Sequence, residues 1–285
     1  MKCTLCPRAC GVDRARQNGY CGVGETMKIG RAALHFWEEP VLAPHGGSGT
    51  IFFAGCSLRC VYCQNFRLSR GEGYEISHEE LIETMKRLEG EGADNIEFVT
   101  GSHYIPGIAA ALAEYRPKVP TVFNCGGYES VEQLRFLDGL IDIYMPDFKY
   151  SDPEIARRYS NAPDYPSVAA AALEEMKRQV GATVVTGGAM KRGVLVRHLV
   201  LPSNVRNSIG VLDVLKDILD RDDYLSLMSQ YVPYGDAHKF PEIDRKLKPL
   251  EYKAVVAHAE KLGFENVLVQ TADSADESFI PKFEK

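Results

Sequence analysis

From residue 50 onward the chain alternates short apolar stretches with longer amphipathic ones. The short stretches cover residues 50–54, 96–100, 121–124, 141–145, 194–201, 225–231 and 266–270. They are rich in β-branched and aromatic residues and almost continuously apolar, the pattern of strands covered on both faces. Between them the apolar positions take the helical period. Ser77-His78-Glu79-Glu80 is a capping-box sequence opening a helix to about Leu88, with Gly90 beyond its end. Ser130-Val131-Glu132-Gln133 and Ser151-Asp152-Pro153-Glu154 repeat the start signal, the latter with proline in the first turn, where no N–H is needed. Further helices are expected over 167–180, 205–220 and 249–262, with Gly181 and Gly263 at their stops.

Strands that alternate with helices predict an α/β fold with a parallel sheet, closing into a full or partial β/α barrel. Chemistry in such barrels gathers at the C-terminal strand ends. The polar residues fall there: Cys56 after the first strand, Thr100-Gly101-Ser102-His103 after the second, Asn124-Cys125 after the third and Asp147-Phe148-Lys149 after the fourth. Arg197-His198 interrupts the fifth and Gln230 ends the sixth. Residues 1–49 lack sustained periodicity and end in His45-Gly46-Gly47-Ser48-Gly49, a run of turn formers. Two units are expected, an irregular cysteine-rich module over 1–49 and a barrel domain over 50–285.

Composition narrows the function. With 45% hydrophobic and 25% charged residues and a net charge of −6, the chain lacks the basic excess of a nucleic-acid binder. No apolar run approaches the ~20 residues of a membrane span. The N-terminal Met1-Lys2-Cys3-Thr4-Leu5-Cys6 has no signal-peptide core, so a cytoplasmic location with neither nucleic acid nor membrane as partner is expected. Of eight cysteines, seven lie within the first 63 residues, a density that points to metal or redox chemistry rather than to a spread disulfide framework. The eighth, Cys125, reads as a structural thiol.

The central motif is Gly55-Cys56-Ser57-Leu58-Arg59-Cys60-Val61-Tyr62-Cys63-Gln64-Asn65, with spacing C-x3-C-x2-C. Three thiolates can hold three irons of a cubane and leave the fourth open. Structural zinc sites ask for four ligands. A second group, Cys3, Cys6, Cys10 and Cys21, has four thiols in a short stretch and suits either a second cluster or one tetrahedral zinc ion.

A C-x3-C-x-aromatic-C loop after the first strand of a β/α barrel resembles the radical S-adenosylmethionine (SAM) superfamily. Within it, the chain is similar to pyruvate formate-lyase activating enzymes, and most to relatives that begin with a Cys-x2-Cys-Pro-Arg-x-Cys-Gly segment. Cys3 to Gly11, Glu38-Glu39-Pro40, Thr50 to Asn65, Tyr128-Glu129-Ser130, Asp147-Phe148-Lys149 and the strand at 196–202 carry the likeness. The resemblance implies a partial (β/α)6 barrel of the radical SAM type. It also implies a 4Fe–4S cluster on Cys56, Cys60 and Cys63 whose open iron chelates SAM, and cleavage of SAM to methionine and a 5′-deoxyadenosyl radical.

The same resemblance assigns pocket roles. Tyr62 would lie near the adenine. Thr100, Gly101 and Ser102 occupy the slot of a Gly-Gly-Glu segment that receives the SAM amino group, although this chain has no Glu there. Asp147 and Asn124 would flank a monovalent cation near the SAM carboxylate, and Lys149 would point into the pocket. Arg197, costly in an apolar strand without a partner, would pair with that carboxylate. His198, on the opposite face, is expected to be structural, and His103 either a pocket residue or a solvent-facing loop histidine. The implied partners are flavodoxin or ferredoxin as electron donor and a glycyl-radical enzyme as protein substrate. The competing functions are a radical SAM enzyme for a small molecule or peptide, and a non-catalytic iron–sulfur or zinc scaffold. Tyr231-Val232-Pro233-Tyr234-Gly235-Asp236 is a candidate wall for a peptide groove.

Overall fold

The computed structural model describes residues 2–270. Its strands are β1 (Lys28–His35), β2 (Ser48–Phe53), β3 (Tyr74–Glu75), β4 (Asn95–Val99), β5 (Thr121–Cys125), β6 (Ile143–Pro146), β7 (Val184–Thr186), β8 (Ala189–Leu199), β9 (Tyr224–Met228) and β10 (Asn266–Val269). β2, β4, β5, β6, β8, β9 and β10 follow one another in chain order as parallel neighbours. Among the described residues the sheet does not close: β10 forms one margin, and β1 with β3 the other. The result is a partial β/α barrel, one parallel strand larger than the expected six.

β1 lies inside the stretch expected to be irregular. It pairs antiparallel with β2 as an outer strand. Its residues are mostly half-buried, and Lys28 and Arg31 interrupt the apolar positions, so it lacks the continuous apolar signature of the central strands.

Caps place the helices. Ser77 Oγ accepts from the Glu80 amide at 3.1 Å while Glu80 Oε2 accepts from the Ser77 amide at 2.6 Å, a complete capping box for the helix His78–Gly90. Asp152, not Ser151, caps the helix Pro153–Ser160 by accepting from Glu154 N at 2.8 Å. Ser130 makes no side-chain cap, and the helix after it is a single turn, Val131–Leu134. The helix Ile105–Glu114 starts without a side-chain cap, and Pro106 in its first turn is its start signal.

Strand alternation sorts the barrel into two apolar bodies. Outward residues such as Phe98, Phe123, Tyr144, Val194 and Val196 meet the helices in the main core. Inward residues Val122, Ile143, Met145 and Leu195 pack with Val41, Leu42 and Met190 into a separate apolar floor. Val41 and Leu42 come from the β1–β2 connection, anchored by Met190 N donating to Val41 O at 2.7 Å and Asn95 Nδ2 donating to Leu42 O at 2.9 Å.

Candidate active site

Above that floor the same strands turn polar. Each is apolar one inward position below: Val122 under Asn124, Met145 under Asp147, Leu195 under Arg197. Arg197 Nη2 donates to Asn124 Oδ1 at 2.7 Å, and its Nε donates to Asp147 Oδ1 at 3.2 Å. A third carboxylate, Glu38 of the β1–β2 connection, lies 3.5 Å from Arg197 Nη1. Lys149 Nζ bonds Asp147 Oδ2 from the other side. Burial alone would push the Asp147 carboxyl up, but Lys149 and Arg197 outweigh it and hold it below the usual range. Asn124 extends the chain by donating from Nδ2 to Glu97 Oε1 at 2.6 Å. Glu97 is fully buried, and burial together with the Glu38 charge raises its carboxyl well above the ordinary value. Its Oε2 has no hydrogen-bond partner.

The cysteine loop roofs this network. Gly55, at φ +88°, starts it; a Cβ there would lie 2.9 Å from Cys21 O, so only glycine permits the approach. Arg59, at φ +53°, makes the turn between Cys56 and Cys60 in a conformation that non-glycine residues rarely adopt. Amides of Leu58 (3.4 Å) and Asn65 donate to the sulfurs of Cys56 and Cys63. Ser160 Oγ donates to Cys60 Sγ at 2.9 Å and belongs to a hydroxyl chain, Tyr62 Oη to Tyr150 Oη at 2.7 Å and Tyr150 Oη to Ser160 Oγ at 2.7 Å. Burial raises the Cys63 thiol to about 12. Such a site favours neutral thiols until a cation neutralises the charge.

A cavity of about 250 Å³ lies between loop and network, lined by Cys60, Tyr62, Cys63, Asn124, Asp147, Lys149 and Arg197 among the expected residues. Cys56 packs beside it, within electrostatic reach of Cys60 and Cys63. Thr100, Gly101 and Ser102 are not in the lining. Gly101 packs on Ile108 and Phe123, Thr100 N bonds Asn124 O at 2.8 Å, and Ser102 Oγ donates to Glu129 Oε1 at 2.7 Å. Glu129 is buried and, mainly for that reason, its carboxyl is raised to about 7. His103 does not line this cavity and does not face solvent: it is 2% exposed and bonds Ala54 O at 2.8 Å. His198 faces away from the cavity, its Nδ1 donating to Phe148 O at 2.7 Å and its Nε2 accepting from Ser208 Oγ at 2.8 Å. Cys125 is 2% exposed.

Sequence reasoning missed Glu97, Ser160, His35 and Trp37, and gave Glu38 no role. His35 and Trp37 line the cavity, and a glutamate at the centre of an apolar strand was the available signal for Glu97. The segment Tyr231–Asp236 buttresses the cysteine loop, with Asp236 N donating to Val61 O at 2.8 Å and Tyr231 and Val232 buried.

The sequence pattern of the Radical SAM superfamily matches residues 50–194, about half of the chain, which takes in the cysteine loop, Glu97, Asn124, Asp147 and Lys149 and ends before Arg197. This chain belongs to the radical SAM superfamily. An uncharacterized protein of Methanocaldococcus jannaschii, MJ0674, is 28% identical over 270 residues, which cover 91% of this chain and 74% of that protein. Among solved structures, methylornithine synthase (PylB) is similar with a TM-score of 0.49 at 14% identity, over 75% of this chain and 68% of that one. Native anSMEcpe with bound AdoMet gives 0.48 at 16% identity, over 76% of this chain and 61% of that one.

The family implies a 4Fe–4S cluster and SAM, and the donor set fits both. Cys60 and Cys63 line the cavity with Cys56 within electrostatic reach of both, Cys56 and Cys63 receive backbone amides, and Lys149 lies within electrostatic reach of all three. Among the described residues no group of three or more His, Cys, Asp or Glu side chains is gathered to hold one ion. A cubane distributes its thiolates over separate irons and does not need that closeness. Arg197 and the carboxylates offer complementary charges to a zwitterionic amino acid. Among the described residues no helix is long and apolar enough to cross a membrane.

Proposed function

We propose that this radical SAM enzyme installs a radical on a glycine of a partner polypeptide, in the manner of the activating enzymes it resembles. One observation carries the reading. The 250 Å³ cavity adjoins a second one of about 360 Å³, and the two share Trp37, Glu38, Arg197, Met228 and Gln230. The second is bounded by Trp37–Pro40 on one side and residues 267–269 of the marginal strand β10, with Gln270 after it, on the other. Among the described residues the site is therefore open sideways, at the margin that β10 forms. Trp37, 73% exposed, lines that mouth. A lateral groove with an exposed aromatic wall suits an extended loop better than a sealed small metabolite.

When bound, the cluster supplies one electron to SAM, which yields methionine and a 5′-deoxyadenosyl radical able to remove a hydrogen atom. Cys56, Cys60 and Cys63 hold the cluster. Arg197 would supply the positive charge for the SAM carboxylate, and Asn124 and Asp147 would hold a monovalent cation near it. Lys149 neutralises part of the charge of the thiolate roof. Tyr62 packs against the adenine and, through Tyr150 and Ser160, ties that contact to Cys60. The apolar floor keeps water out from below. Flavodoxin or ferredoxin is the electron donor.

The test uses reduced enzyme, SAM, and candidate glycyl-radical proteins or their glycine-loop peptides dideuterated at glycine Cα. The expected result is a doublet glycyl signal in electron paramagnetic resonance with the proteins and deuterium in 5′-deoxyadenosine. SAM cleavage with neither, across every such protein of the host, would sink the glycyl assignment and leave a small-molecule or other peptide substrate.

A further inference from the structure

The first twenty-one residues hold four cysteines that the barrel chemistry leaves unused. All are free thiols; Cys6 and Cys21 are buried and Cys3 and Cys10 half-buried. They converge. A Cβ at Gly19 would touch Cys21 Sγ at 3.3 Å and Cys10 Sγ at 3.5 Å, so that glycine leaves open a hollow faced by two sulfurs. Cys3 is in side-chain contact with Cys10, and Cys6 is within electrostatic reach of the other three. The backbone that presents them is itself pinned: Cys3 N donates to Val12 O at 2.9 Å, Ala9 N to Cys6 O at 2.9 Å and Gly19 N to Val23 O at 2.9 Å.

The triad is an internal standard for what this arrangement holds. At the triad, amides two residues ahead serve Cys56 and Cys63. At the quartet the same offset recurs, with Arg8 on Cys6 and Val12 on Cys10, and Tyr20 adds a further amide to Cys10. Amide donors are the usual neighbours of cluster sulfurs. Four thiolates could also hold a tetrahedral zinc ion, which the metal analysis below separates from a cluster. The two sites also touch. Cys56 N donates to Cys21 O at 3.0 Å, so a ligand of one group is one backbone hydrogen bond from a ligand of the other. A Cβ at Gly71 would lie 2.5 Å from Gly22 O, so the connection passes at backbone contact.

We propose that Cys3, Cys6, Cys10 and Cys21 hold a second 4Fe–4S cluster, which passes electrons singly to the triad cluster across the Cys21–Cys56 contact. In each transfer the quartet cluster is oxidised by one electron and the triad cluster reduced by one. A one-electron carrier of the flavodoxin or ferredoxin class restores the first. No bond in the protein is made or broken.

The experiment is anaerobic reconstitution of the full chain, followed by metal and sulfide analysis and Mössbauer spectroscopy. The unaltered protein should hold about eight irons, two cubanes of four, and no zinc. The C56A/C60A/C63A variant and the C3S/C10S variant, each checked for folding by circular dichroism, should hold about four. After dithionite, the unaltered protein should show spin–spin broadening that neither variant shows. About four irons in the unaltered protein, or zinc in the triad variant, would overturn the second cluster. A doubly reduced spectrum equal to the sum of the two variants would overturn the transfer route. If a variant fails to fold, the iron count and the broadening in the unaltered protein still decide both points.

Discussion

The floor and the rim of the barrel are made by the same strands and differ by one inward step. On β8 that step leads from Leu195, in the apolar floor, to Arg197, which touches three polar partners. On β5 it leads from Val122 to Asn124, and beyond β6 from Met145 to Asp147. The floor is held by dispersion and exclusion of water, which tolerate exchange of one apolar shape for another. The rim is held by charges that are costly to bury and stay buried because each faces an opposite charge or an amide. Stability and chemistry are thus stacked along each strand, and substitutions at the two heights should fail differently.

The largest effect belongs to the roof. Replacing Cys56, Cys60 and Cys63 by alanine should abolish dithionite-dependent formation of 5′-deoxyadenosine. Product formed by the triple variant, measured chromatographically, would break the assignment of the site. One level down, Leu195→Ala should cost about 2–5 kcal/mol of stability in denaturant titration. Its SAM affinity should not change; an affinity loss equal to that of a rim variant would erase the distinction between floor and rim.

How much of this could be read from the sequence depends on range. The parallel strands and the cysteine loop were legible because each declares itself locally, the strands by continuous apolar runs and the loop by thiol spacing. The half-exposed β1 was not, since an outer strand has no such run. Asp147 and Arg197 stood out as polar residues at strand ends, but their partner Glu38 comes from a connection 159 residues away from Arg197, and no local pattern encodes that pairing. Ser160 reaches Cys60 from 100 residues away for the same reason.

The outward face of β8 sharpens the contrast further. Arg197 is charged inward, and His198, next to it, is kept neutral outward. Burial lowers His198 to about 4, against a carbonyl of Phe148 that opposes the shift, and it lowers His103 to about 4 as well. A histidine depressed on folding stabilises the native state fully above its ordinary value of 6.5; the contribution is lost as pH falls from there through about 4. Each should contribute about 3 kcal/mol to that loss. The raised carboxyls of Glu97 and Glu129 gain stability over the same window, so the loss is read as the stability difference between the unaltered protein and its His103→Gln and His198→Gln variants in unfolding titrations. A difference that does not change from pH 6.5 to 4 would contradict the neutral burial of both.

Smaller still is the effect of single rim contacts. Arg197→Ala should weaken SAM binding by about 1.5–3 kcal/mol, measured by calorimetry on the reconstituted protein. Arg197→Lys should recover only part, because it restores the charge without the fork. Unchanged affinity in both would make Arg197 a brace for Asp147 and Glu38 alone. The smallest change is expected for Ser160→Ala, which removes a hydroxyl from Cys60 and leaves the ligands intact. The triad cluster should then become harder to reduce, seen as a more negative midpoint in a redox titration. An unmoved midpoint would mean that the hydroxyl chain only positions Tyr62.

The connection from Phe36 to Gly47 has a double duty. Its first residues, Trp37 and Glu38, form a wall of the cavity; its middle, Val41 and Leu42, seals the barrel from beneath. Both ends are tied to strands of fixed register, β1 at His35 opposite Ser48 of β2. The segment therefore acts as a gauge: its length calibrates how far the mouth stands from the base. A deletion there would shallow the chamber and unseat its plug in one event, and an insertion would deepen the chamber while loosening the same plug. Lineages that change the bulk of the accepted substrate would have to retune apolar residues on the far side of the barrel at the same time. Diversification at this mouth is bound to advance by paired substitutions, one at each height.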